Sequence, residues 1–228
     1  IFYAQASNIT TLLGSYMPIY LISGFNQGII TALNYGKNLS NIPDQFITTQ
    51  FSSILGIKLN ETYALKELNK TNEIFLNSVN ILFFILIPIA LIFSFFATEI
   101  VTILYMRGKF DKYSVEITSE FLRYFALTLP FLALNTLSSR IITAGQKMNV
   151  NFYAGVTLNG FYLILLYTLI KIIGPIGYPI ALLVFLPISV FVANYLIFKK
   201  YFGFLKYYKV AIQFFKISLF NITIGIPF

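Results

Sequence analysis

The sequence predicts an all-α integral membrane protein, a polytopic bundle of about seven transmembrane helices at ~20 apolar residues per crossing. Three observations carry this. Of 228 residues, 57% are hydrophobic and 11% charged, with a mean hydropathy of +0.78, against roughly 45–50% and 25% in soluble domains. Long charge-free runs recur: Ile1–Gly36 (36 residues), Ile74–Thr98 (25), Val150–Ile170 (21) and Ile172–Phe198 (27). Blocks such as ILFFILIPIALIFSFFA do not alternate as barrel strands would. A backbone in lipid must satisfy its own polar groups, so helices remain.

The first segment, 8–33, is uncharged, and its Gly14 and Gly24 permit close packing or bending. ITALNYGKNLSN then reads as a turn between antiparallel membrane helices. Asn41 is placed to cap the second segment, 42–58, with Pro43 in its first turn and Asp44 at its positive dipole end. That helix, DQFITTQFSSILGIKLN, holds Gln45, Thr48, Thr49, Gln50, Ser52 and Ser53. So many hydroxyls and amides belong against other helices or a water-filled cavity. The third segment, 75–105, carries Pro88, which predicts a kink. The fourth, 117–143, contains a 16-residue uncharged stretch bracketed by Arg123 and Arg140. The fifth and sixth, 149–171 and 175–198, are the clearest. The seventh, 208–228, is interrupted by Lys216.

Alternating crossings divide the bases unevenly. Lys58, Lys66, Lys70, Arg140, Lys147, Lys199, Lys200, Lys206 and Lys209 fall on one side, nine in all, and Lys37, Arg107, Lys109, Lys112 and Lys171 on the other, five. The positive-inside rule puts the richer side, and with it the Ile1 end, in the cytoplasm. The formal charge of +8 comes from bases at the ends of apolar runs, so membrane flanks, not nucleic acid, account for it. FKKYFGFLKYYK, 198–209, reads as a cytoplasmic linker on anionic headgroups. With no cysteine or histidine, thiol chemistry and the usual zinc and haem ligands are excluded, and neither an enzyme nor a cofactor is expected. The chain reads as an excerpt of a longer protein.

Three stretches resemble the MviN/MurJ family of lipid II flippases: TALNYGKNLSNIP with the helix after it; LYMRGKFDKYSVEITSEFLRYFALTLPFLALNTLSSRIITAGQKMNV; and GPIGYPIALLVFLPIS. They follow the family's order and spacing. The resemblance implies about seven helices, roughly the seventh to thirteenth, of a two-lobed fourteen-helix transporter. Residues 1–198 would be helices of the carboxy-terminal lobe, 199–209 the basic linker, and 208–228 the start of the last helix pair. It implies alternating access by a cationic cavity that carries an undecaprenyl-linked glycan across the bacterial cytoplasmic membrane. Partners would be that glycan, membrane lipids and a coupling ion. Where the family shows Tyr-Ala-Asp-Arg-Leu, this chain has Tyr35-Gly36-Lys37-Asn38-Leu39. The family's cavity arginine is replaced by Asn38. Lys37 beside it offers a point charge and no bidentate fork, which leaves another lipid-linked saccharide, an O-antigen or capsule unit, as the alternative cargo.

Candidate residues follow. Lys37 and Asn38 are cavity positions by the resemblance, and Thr48 and Ser52 belong to the hydroxyl-rich helix. Arg123 reads as a cavity cation or an interface anchor, and Lys216 as a groove-lining or snorkelling lysine. Arg107 and Lys109 form an outer basic turn, a phosphate contact or a solvated loop. Glu99 either pairs with Arg123 or marks an ion site. A membrane glycosyltransferase is a rival class, but acid–base chemistry needs positioned groups, and the longest loop, 59–73, is lysine-rich.

Overall fold

The computed structural model describes residues 12, 14–25 and 28–225, all helical apart from turns, with no strand among them. A helical stretch over 14–22 ends in the turn at 23–25. Helix α1 (Ile29–Pro43) follows Gly28, whose φ of 94° suits a residue without a Cβ. Contrary to the sequence expectation, 30–43 is not a turn. α1 continues through a π-helical turn, Asp44–Thr49, into α2 (Gln50–Ala64), and the backbone stays right-handed across both junctions. Asn41 therefore lies inside a helix and caps nothing.

The physical reason is that an open turn in lipid exposes several peptide groups, whereas an internal proline forfeits one hydrogen bond. Widening to a π turn relieves the clash of its ring with the carbonyl of Leu39. The buried positions keep one face. Leu33, Gly36, Leu39, Ser40 and Pro43 are followed by Thr48, Ser52, Gly56 and Leu59. The single five-residue step, 43 to 48, is the π spacing.

α3 (Leu68–Phe95) passes Pro88 without changing helix type, and α4 (Ala97–Tyr105) restarts after a break at Phe96. α5 (Lys112–Ala126) is capped by Asp111, whose carboxylate accepts from the Ser114 N–H at 2.9 Å and the Ser114 hydroxyl at 2.8 Å. Those bonds hold the Asp111 carboxyl below the usual carboxylate range. α6 (Leu129–Ala144) is bent by 42° from α5, so the fourth predicted segment is a broken pair. Pro130 sits in the first turn of α6, where its missing N–H costs little.

α7 (Met148–Ile173) ends at Gly174, φ 73°. A 3₁₀ turn, Gly174–Ile176, leads into α8 (Gly177–Pro187). α8 folds back along α7, as the 5.2 Å between the Tyr162 and Phe185 rings shows. A second π turn, Ile188–Ala193, again directly after a proline, connects to α9 (Asn194–Tyr201). α10 (Tyr208–Gly225) closes the described chain.

Among the described residues, Leu68–Phe95 and Phe152–Tyr201 are long and apolar enough to cross a membrane. The bent pair Lys112–Ala126 and Leu129–Ala144 makes a third if it is one span. The run 152–201 is a hairpin, folded at Gly174. The first predicted segment lies partly outside the described residues.

Two contacts organise the bundle. α1 packs on α5 at Gly36, where a Cβ would come within 2.8 Å of Phe121 Cβ and 2.9 Å of the Leu122 nitrogen. The 202–207 linker is folded into the main core, with Phe202, Leu205 and Tyr207 buried beside Phe75 and Phe198. The Tyr207 hydroxyl donates to the Val190 carbonyl, inside the second π turn, at 2.9 Å, and lies 3.2 Å from Ser138 Oγ. The lysines of this linker, Lys199, Lys200, Lys206 and Lys209, remain exposed, together with Tyr201, Gly203 and Tyr208. The linker is thus anchored by its aromatics and not simply laid on a surface.

Candidate functional site

Lys37 is the residue that the corrected helix changes most. It lies eight residues into α1, about 12 Å from its start at 1.5 Å per residue, and is half-buried. Its ammonium donates to the Tyr178 hydroxyl at 3.0 Å and stands 5.5 Å from the ring centroid. Tyr178, in the first turn of α8, is 4% exposed and meets Phe125 edge-on at 5.3 Å. Three helices thus position one cation: α1 carries it, α8 supplies its acceptor, and α5 wedges the acceptor's ring. A charge inside a membrane bundle needs such a partner.

Beside Lys37 runs an outward-facing polar stripe. Thr31, Asn34, Asn38 and Gln45 are exposed and Asn41 half-buried, at alternating steps of three and four residues, one side of a helix. Tyr35, Ile42 and Phe46 flank it. Other outward faces are different: α3 presents Phe84, Ile92 and Phe95, and α7 presents Phe161, Ile164 and Tyr167. The stripe on α1 and the π turn is a continuous row of amides, whereas α3 exposes Asn77 and Asn80 next to its apolar outer face.

The other candidates are dispersed. Asn38 is exposed on the stripe. Thr48 and Ser52 are 1% and 0% exposed and face the bundle through the α2–α6 contact, so they do not border the outward face. Small residues at such contacts let membrane helices approach closely; the exposed polar groups near them are Gln45, Thr49, Gln50 and Ser53, with Lys58, Asn60 and Glu61 toward the end of α2. Arg123 does not pair with Glu99. Its Nε donates to the Ser94 carbonyl at 3.3 Å, satisfying a carbonyl that the end of α3 leaves without a donor. Glu99 is exposed on α4, and the ion pair within 4 Å among the described residues is Lys70–Glu67. Lys216 is exposed on α10 beside Phe215, Leu219 and Phe220.

Arg107 and Lys109 are exposed in the 106–111 turn, which packs back on α1. The Phe110 ring is 5.8 Å from that of Tyr35, and Tyr35 is 4.7 Å from Tyr105. A cleft of about 200 Å³, lined by Gly28, Thr31, Phe110 and Tyr113 among others, opens there. The basic turn and the start of α1 therefore share one end of the bundle.

Sequence reasoning missed Tyr178 and the stripe. The stripe's spacing was visible once 30–43 is taken as helix; Tyr178 carried no local signal, since only folding sets it against a residue 141 positions away.

Fold and site together define a class: an all-helical membrane protein that keeps a partnered cation beside an amide-lined outer face. The family profile described as "Lipid II flippase MurJ" matches residues 2–226, and the chain belongs to that family. A probable lipid II flippase MurJ from Rickettsia prowazekii (strain Madrid E) is 28% identical over 123 residues, 54% of this chain and 24% of that protein. The chain thus matches about a quarter of that relative's length.

Proposed function

We propose that the chain is the carboxy-terminal part of a flippase that moves a polyprenyl-diphosphate-linked glycan, lipid II, across the bacterial cytoplasmic membrane by alternating access. The observation that supports this is the placement of Lys37. An ammonium on an amide-lined helix face, held by Tyr178 and not by a carboxylate, keeps its charge for an anionic headgroup. The stripe from Thr31 to Gln45 then forms this lobe's share of the inner wall, facing the other lobe. The Arg107–Lys109 turn stands at the outer mouth, and the Ile1 side is cytoplasmic. With Lys37 inside a helix, the outer loops hold fewer bases, which strengthens that orientation.

The test is rescue of cells depleted of their own flippase by the full-length protein, read as outward delivery of labelled lipid II. Wild type should deliver it and Lys37→Ala should fail at equal membrane abundance. A well-expressed wild type that delivers none would refute the reading. A second cargo, another lipid-linked saccharide, is favoured by one observation: position 37 offers an ammonium and position 38 an amide, so no guanidinium fork is present there for a diphosphate. Delivery of that saccharide but not of lipid II would select it.

A further inference from the structure

The polar stripe does not stop at Gln45. It continues through Thr49 and along α2 at Ser53 and Asn60, all exposed, in steps that keep one side of a helix. A second polar row lies on α6, where Asn135, Thr136 and Ser139 are half-buried and Thr143 is exposed. The two rows meet where α2 and α6 touch, at Gly56 and Arg140. Ser53 and Asn60 stand one helical turn either side of Gly56, and Thr136 and Thr143 one turn either side of Arg140, so both rows flank that contact.

Arg140 is the cation of this trough. Its Cδ lies 3.3 Å and its Nε 3.5 Å from where a Cβ on Gly56 would stand, so its stem is laid against α2 while the residue stays exposed. Among the described residues it makes neither an ion pair nor a hydrogen bond, unlike Arg123, which donates to the Ser94 carbonyl. Lys147 and Lys200, at the same end of the bundle, stand over the Tyr201 ring, 5.8 and 5.3 Å from its centroid. The hydroxyls of Thr49, Ser53, Thr136, Ser139 and Thr143 all donate to carbonyls of their own helical run. They are left with lone pairs, which accept from sugar hydroxyls and repel an anion. An anion entering the trough therefore goes to the guanidinium.

We propose that Arg140 binds the diphosphate of the carried lipid at the cytoplasmic end of this face, an inference that rests on the flippase reading. Its planar fork offers two parallel donors to phosphate oxygens, which Lys37 and Asn38 do not. Gly56 lies roughly 28 Å beyond Lys37 along the helical run at 1.5 Å per residue. The two cations thus stand toward opposite ends of one polar face. The fork receives the headgroup on the inner side, and the ammonium meets it nearer the outer side.

The experiment is phenylglyoxal labelling of arginines in the full-length protein in detergent, mapped by mass spectrometry with and without farnesyl diphosphate. In wild type the diphosphate should protect Arg140 and leave Arg107, in the outer turn, as reactive as before. Calorimetry should show farnesyl diphosphate binding weakened at least about tenfold in Arg140→Lys, the low end for losing a hydrogen bond to a charged group, with farnesyl monophosphate binding changed less. A lysine serves as well as an arginine for a charge that merely anchors a helix end at the membrane surface. Equal diphosphate binding by Arg140→Lys therefore overturns the proposal, as does no protection of Arg140 in wild type, or equal protection of Arg107. The labelling needs wild type alone, so it gives the answer even if the variant fails to fold. Wild type that delivers lipid II while Arg140 goes unprotected defeats this inference and leaves the flippase reading intact.

Discussion

Gly36 is where α1 and α5 touch, and its replacement makes a sharp test of the corrected helix. In Gly36→Ala the new methyl would stand 2.8 Å from Phe121 Cβ and 2.9 Å from both the Leu122 nitrogen and the Thr118 carbonyl oxygen. Carbon contacts are comfortable at about 3.5–4.0 Å, and two of these three neighbours are backbone that cannot rotate away. The helices must part by roughly 1 Å, loosening Leu33 and Leu39 against Phe121 and Leu122. Overpacking of this kind costs about 1–3 kcal/mol. Replacing a mid-helix glycine by alanine returns about 0.5–1 kcal/mol, so the net effect is a loss of up to about 2.5 kcal/mol. Gly155→Ala on α7 is the control, since nothing lies within 4 Å of its new methyl, and it should gain the propensity term alone. Thermal unfolding of the full-length protein in detergent, followed by size-exclusion fluorescence, should move the two midpoints in opposite directions. If Gly36→Ala rises together with Gly155→Ala, the close crossing, and with it the placement of Lys37, is wrong.

Tyr178→Phe keeps the ring against Phe125 but removes the acceptor of the Lys37 ammonium, a bond to a charged group worth about 1.5–3 kcal/mol. Combined with Lys37→Ala in a double-mutant cycle on stability, it should show coupling of at least about 1 kcal/mol; additive losses would deny the contact. Tyr207→Phe strips the donor from the Val190 carbonyl and should cost about 1–3 kcal/mol. Burial also pushes the Tyr207 hydroxyl from 10.0 up to about 12. Its folded-state proton is held more tightly, so its contribution is complete below pH 10 and is lost as pH rises toward 12. The difference between wild type and Tyr207→Phe should shrink over that window, and a constant difference would contradict the burial. For Asp111 the shift is downward, so its capping contribution is present above pH 3.8 and lost as pH falls through the folded-state value. Asp111→Ala should lower the midpoint at neutral pH and lose that acid dependence, while Asp111→Asn, itself a good cap, should retain most of the stability.

How much of the site was legible turns on one segment. Asn, Gly and Pro within 34–43 are turn formers in water, and read that way they put Lys37 in a loop. In a bilayer the cost of exposed peptide groups outweighs turn propensity, and the same asparagines become a stripe along a helix. The prolines divide by surroundings as well. Pro88 leaves α3 regular, whereas Pro43 and Pro187 are each followed by a π turn, a difference no local pattern announces. Likewise the linker's bases were visible, but its burial depends on Gly145, against which Phe202 closes so tightly that a Cβ would meet its ring.

By itself the sequence determined the all-helical membrane class, the apolar runs and the family, because hydropathy and motif order are properties of short stretches. Only the tertiary structure decided where the second helix begins, that Lys37 belongs to Tyr178, that Arg123 serves a carbonyl and not Glu99, and that Thr48 and Ser52 face inward. Those outcomes depend on which helix faces meet. A charged or hydroxyl side chain in an apolar bundle takes whatever partner the packing brings, and that partner is often more than a hundred residues away.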